Sequence, residues 1–87
     1  MDDDEEPRAL TNAEFAAAVG VHFSMSSRLR NGERIPSSGL LARIVQAYDL
    51  SPMQLEEMFV ALNGPDPEQA FGRWISAAIF DAPIHAA

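Results

Sequence analysis

Apolar residues in this chain recur at intervals of three and four, and no stretch alternates apolar with polar as a half-buried strand does. The first such segment runs from Thr11 to Gly20, where Phe15, Ala16 and Val19 form a narrow stripe at i, i+1 and i+4. Thr11 followed by Glu14 reads as a capping box, and Gly20 supplies the left-handed residue that ends a helix. A second short helix is expected from about residue 22 or 23 to Arg30, with Val21, Met25 and Leu29 turned inward. Phe23, Ser24, Ser27, Arg28 and Asn31 are then left more exposed, and Asn31-Gly32 ends the helix. Helices this short persist only by packing.

Three further helices follow. Pro36-Ser37-Ser38 opens one that carries Leu40, Leu41, Ile44, Val45 and Tyr48. Ser51-Pro52 with Gln54 combines an N-cap, a proline at the first helical position and a capping-box partner. The helix behind it carries Leu55, Met58, Phe59 and Leu62 until Asn63-Gly64-Pro65 stops it. Asp66-Pro67 with Gln69 repeats the start signal, and a last helix over 67–80 places Phe71, Trp74, Ile75, Ala78 and Ile79 on one face. The expected fold is all-α, a compact bundle of about five short helices.

Composition narrows the function. A chain of 87 residues holds one core, and its 47% hydrophobic content is too high for disorder. The absence of cysteine excludes a disulfide scaffold and a zinc finger. No apolar run approaches the roughly 20 residues of a membrane span. The acidic N-terminus lacks the basic-then-apolar order of an export signal, so a cytoplasmic location is expected. A Walker phosphate loop needs lysine, and there is none. His22 and His85 have no ligand-type neighbour at i+4, so no metal site is expected. With no catalytic triad and no carboxylate pair in an apolar setting, the expectation is no cofactor and no enzyme.

The net charge of −7 is unevenly spread. Residues 1–7 contribute −5, residues 8–43 contribute +3, and residues 44–87 contribute −5. All the positive excess falls on the segment around the two short helices, and contact with phosphates needs a local basic surface rather than a basic protein. The expected organisation is an acidic tail at 1–10, a helical domain at 11–62, an additional helix at 63–80 and a tail at 81–87. Two readings of the acidic run stand: a solvated tail, or a competitor for phosphates at the basic surface.

Gly20 through Ser37 resembles the helix-turn-helix domains of phage Cro proteins, phage repressors and their bacterial relatives, the XRE group. The matching residues are Phe15-Ala16, Gly20-Val21, Ser27-Arg28-Leu29, Asn31-Gly32, Arg34 and Pro36-Ser37, followed by the spacing to Leu41, Ile44, Ala47 and Leu50-Ser51. The resemblance covers roughly residues 11–62. It implies a recognition helix at 22–30 lying in the major groove of a double-stranded DNA operator. Phe23, Ser24, Ser27 and Arg28 would touch base edges, and Arg30, Asn31, Arg34 and Arg43 the phosphates. It also implies a homodimer on half-sites about one helical turn apart.

Several positions depart from the family pattern. Family domains normally begin with an additional helix upstream of the Thr11 helix, and here only an acidic, proline-bearing segment is expected in that place. Ser26 stands where a buried valine or isoleucine is usual, which implies a rotated or loosely packed second helix. Arg30 replaces a glutamate, and His22 replaces a serine or threonine cap. Phe71, Trp74, Ile75 and Ile79 lie beyond the resemblance, as either a core face or a dimer face. Two other readings remain beside a DNA-binding regulator: a helical protein-interaction module without DNA function, and the DNA-binding part of a larger repressor.

Overall fold

The computed structural model describes residues 10–81; apart from Leu10 and Asp81, the expected tails lie outside the described residues. Five α-helices follow one another: α1 (Asn12–Val19), α2 (Phe23–Arg30), α3 (Ser38–Tyr48), α4 (Pro52–Leu62) and α5 (Pro67–Ile75). α5 continues directly into a π-helical segment, Ser76–Phe80. There is no strand among the described residues.

Local sequence sets most of the helix boundaries. At the start of α1 the Glu14 N–H donates to Thr11 Oγ1 at 3.1 Å and the Thr11 N–H donates to Glu14 Oε1 at 2.9 Å. Ser51 and Gln54 make the same reciprocal pair at α4, at 3.2 and 2.9 Å. Ser37 caps α3 by accepting from the Leu40 N–H at 3.2 Å. Gly20 ends α1 at φ 74°, where a glycine meets no Cβ penalty. At the end of α2 it is Gly32, at φ 75°, that turns left-handed, while Asn31 keeps φ −84°. α3 ends on a left-handed residue too, Asp49 at φ 49°, a stop the sequence did not announce.

The core gathers around Phe15. Its ring stacks on Tyr48 of α3 at 5.8 Å and lies 5.0 Å from Phe80 at the C-terminal end, so α1 sits between the two. Val19, Leu29, Ile44, Met58, Phe71 and Ile75 are buried with it. Each fully buried side chain of this size contributes about 1.5–3 kcal/mol. That burial, and not propensity, holds α1 and α2, each 8 residues long. The Leu10 N–H donates to the Phe80 carbonyl at 3.1 Å and ties the two ends of the described chain together.

The structure corrects the sequence reading at three points. Asp66 makes no side-chain cap at α5; the helix begins on Pro67 without that bond. Phe59, expected inside, is 53% exposed, and Met58 is the one fully buried residue of α4. α4 packs chiefly against α5, and among the described residues no element covers the flank that carries Phe59. The last helix does not stay α-helical to residue 80. In the π segment the Asp81 N–H reaches back to Ser76, and the wider turn places both Ile79 and Phe80 in the core. Phe80 had no place on the expected stripe and is completely buried.

α5 approaches the end of α2 closely because Gly72 has no side chain. A Cβ there would stand 2.9 Å from the Gly32 nitrogen and 3.0 Å from the Leu29 carbonyl oxygen, both backbone atoms that cannot yield. Gly72→Ala should therefore lower stability by about 1–3 kcal/mol, read as a lower urea midpoint. No loss would mean that the two helices can separate freely.

Two buried polar atoms, the Tyr48 hydroxyl and the Trp74 indole nitrogen, have no hydrogen-bond partner among the described residues. The Tyr48 pKa is raised, first by burial and second by the negative charge of Glu14. Because the unfolded chain ionises first, stability is retained below about pH 10 and declines as pH rises through the folded pKa. This is the single tyrosine of the chain, so its phenolate absorbance reads the titration directly. The midpoint should lie above that of the urea-unfolded protein, and coinciding midpoints would refute it.

Candidate nucleic-acid interface

The rotation of α2 about its own axis decides which side chains it presents, and a polar contact with α1 sets that rotation. Ser26 is fully buried. Its hydroxyl donates to Asn12 Oδ1 at 3.1 Å, and Arg30 Nη1 donates to the same oxygen at 3.2 Å. The Arg30 guanidinium also lies 4.2 Å above the Phe80 ring. The family's usual apolar residue is thus replaced by a satisfied polar one, and the helix is held rather than loose. Ser26 and Leu29 are its buried residues, while Val21 and Met25, expected as core, are only partly buried against it. A buried hydroxyl without a partner costs about 1–3 kcal/mol, which makes Asn12 a requirement of this arrangement.

The start of α2 is held by His22. Its Nδ1 accepts from the Ser24 N–H at 3.2 Å and lies 2.9 Å from Ser24 Oγ. The histidine therefore performs the capping role that serine or threonine usually fills. Its ring also lies 4.8 Å from that of Phe23. Phe23 is 57% exposed, an unusual position for a phenylalanine at a helix start.

At 100° per residue, Phe23, Ser24, Ser27, Arg28 and Asn31 occupy the side of α2 opposite Met25, Ser26 and Leu29. Phe23, Arg28 and Asn31 are exposed; Ser24 and Ser27 are half-exposed. Asn31 Nδ2 lies 3.4 Å from Ser27 Oγ, a long contact within the same face. Arg28 and Arg34 are exposed and have no ion-pair or hydrogen-bond partner among the described residues. The other two expected phosphate cations are already engaged. Arg30 makes the internal contacts above, and Arg43 Nε donates to the Val19 carbonyl at 2.8 Å, closing the end of α1. Phe71, Trp74, Ile75 and Ile79 are buried within the chain.

Among the described residues no three histidine, cysteine, aspartate or glutamate side chains come together as a metal site. No helix among them is long and apolar enough to cross a membrane.

A capped helix, a glycine turn and a second helix with one exposed, arginine-bearing face define a helix-turn-helix protein. The helix-turn-helix family of the XRE type matches residues 6–55, more than half of the chain, and the chain belongs to it. It is accordingly a DNA-binding helix-turn-helix regulator whose partner is double-stranded DNA, in a family that is generally non-enzymatic. No curated protein and no solved structure matches it. Most of α4, all of α5 and the π segment lie beyond the matched range.

Asn12 was not singled out in the sequence. Its partners lie 14 and 18 residues away, beyond any local pattern. Asn12→Ala should cost about 1–3 kcal/mol, while Asn12→Ala together with Ser26→Ala should cost less than the sum of the two single changes. Additive losses in urea melts would show that the two groups do not interact.

Proposed function

We propose that this protein is a sequence-specific transcriptional regulator that binds an operator as a homodimer and represses by occupying it. The observation that carries this reading is Phe23 and Arg28 together on the face of α2 that the core does not use. Laid in the major groove, Phe23 contacts a thymine methyl and Arg28 reads the acceptor pair of a guanine, with Ser24 and Ser27 between them. Asn31 and Arg34 hold the phosphates next to that helix. Arg30 and Arg43 support the surface through their internal bonds and add charge to it. With Phe71, Trp74, Ile75 and Ile79 buried in the core, the dimer draws on other residues.

The competing reading, a protein-interaction module, has one feature in its favour. An apolar pocket of about 460 Å³ opens between α3 and α4, beside Leu41, Val45, Leu55 and the exposed Phe59.

The test is a titration of DNA from upstream of the protein's own gene at two salt concentrations, with random DNA as competitor. Phe23→Ala and Arg28→Ala should each cost about 1–3 kcal/mol at the specific site. Arg34→Ala should weaken all sequences alike and reduce the salt slope by about one. Absence of binding even at about 50 mM salt, where counterion release favours any phosphate binder, would exclude the operator reading.

A further inference from the structure

Where the end of α2 meets α5, a pocket of about 290 Å³ opens, lined by Arg30, Asn31, Gln69, Arg73, Ser76 and Asp81. Small-molecule sites occupy roughly 300–1,000 Å³, so this one suits a compact group rather than an extended molecule. Two guanidinium groups line it, and neither pairs with Asp81 or any other carboxylate among the described residues. Arg73 is exposed and has no partner among them.

We propose that this pocket binds a phosphate group, with Arg30 and Arg73 as its charged pair and Asn31, Gln69 and Ser76 as neutral donors. Arg30 is pre-positioned for it. One nitrogen is held by Asn12 and the plane by Phe80, so little side-chain freedom is left to lose on binding. Arginine presents five N–H donors, and the Asn12 bond uses only one of its nitrogens. Arg73 supplies the second charge from α5. Asp81 opposes the same anion and sets an upper limit on affinity.

The phosphate has two chemical sources: the backbone of bound DNA, or a free phosphate or phosphorylated small molecule. The position of the pocket favours DNA. Arg30 follows Phe23 by seven residues, two turns further along nearly the same line of the helix and, around its axis, between Phe23 and buried Ser26. The pocket therefore lies at the C-terminal end of α2, along the edge of the proposed reading face that borders α5. That assignment of source rests on the operator reading; the phosphate site itself does not. It places a DNA contact on α5, outside the matched family range.

The experiment compares the unaltered protein with Arg73→Gln and Asp81→Asn, two exposed positions whose substitution leaves the core intact. Thermal melts check that each variant is folded. Inorganic phosphate is titrated at constant ionic strength while the amide resonances of Gly32, Gly72 and Ser76 are followed, and duplex DNA is titrated at several salt concentrations. With DNA as the source, Arg73→Gln should weaken every sequence by about tenfold at low salt and reduce the salt slope by about one. Asp81→Asn should tighten binding. If DNA binding is unchanged or absent but inorganic phosphate shifts those amides, and Arg73→Gln abolishes the shift, the pocket holds a free phosphate. If neither DNA affinity nor the phosphate response depends on Arg73, the proposal is overturned, even where the unaltered protein binds its operator.

Discussion

The carbonyl oxygen of the Asn12 side chain is the point on which the functional surface depends. A fully buried serine hydroxyl and an arginine from the next helix both donate to it. A hydrophobic stripe alone would tolerate a modest rotation of α2, because apolar contacts are not directional. Hydrogen bonds are directional, and a buried donor left unmade is expensive. The pair therefore selects one rotation of a helix only 8 residues long. That rotation presents Phe23 and Arg28 outward together.

The same arginine joins α2 to the C-terminal part of the chain. Its guanidinium covers Phe80, which in turn packs on Phe15 at the centre of the core. The π turn widens the end of the last helix so that two successive residues, Ile79 and Phe80, are buried. Gly72, meanwhile, lets α5 lie against the Gly32 turn, backbone to backbone. The additional helix is thereby integrated with the helix-turn-helix, and it brings Arg73 to the same pocket as Arg30 and Asn31 at the end of α2.

An acidic chain that binds DNA is reconciled by where its charges are. Arg28 and Arg34 stand exposed and unpaired among the described residues, whereas Arg43 spends its Nε on the end of α1. Exposed charges more than a Debye length of about 8 Å apart are largely screened at physiological salt, so the local balance matters most, here Arg28 and Arg34 against the neighbouring Glu33. A small number of free cations implies a modest electrostatic contribution to phosphate contact.

Much of this fold was legible in the chain because its signals are local. Thr11 with Glu14, Ser51 with Gln54, Gly20 and Gly32 act within one turn, so the five helices could be read from spacing, and the helix-turn-helix from its resemblance to the family. The exposure of Phe23 and Arg28 followed from helical periodicity in the same way. What the sequence could not determine are contacts between distant segments. The burial of Ser26 depended on Asn12, the internal engagement of Arg30 depended on Phe80, and the exposure of Phe59 depended on α5 covering only the other flank of α4 among the described residues. The tertiary structure alone decided these, because each depends on which groups become neighbours, and periodicity along a single helix carries no record of that.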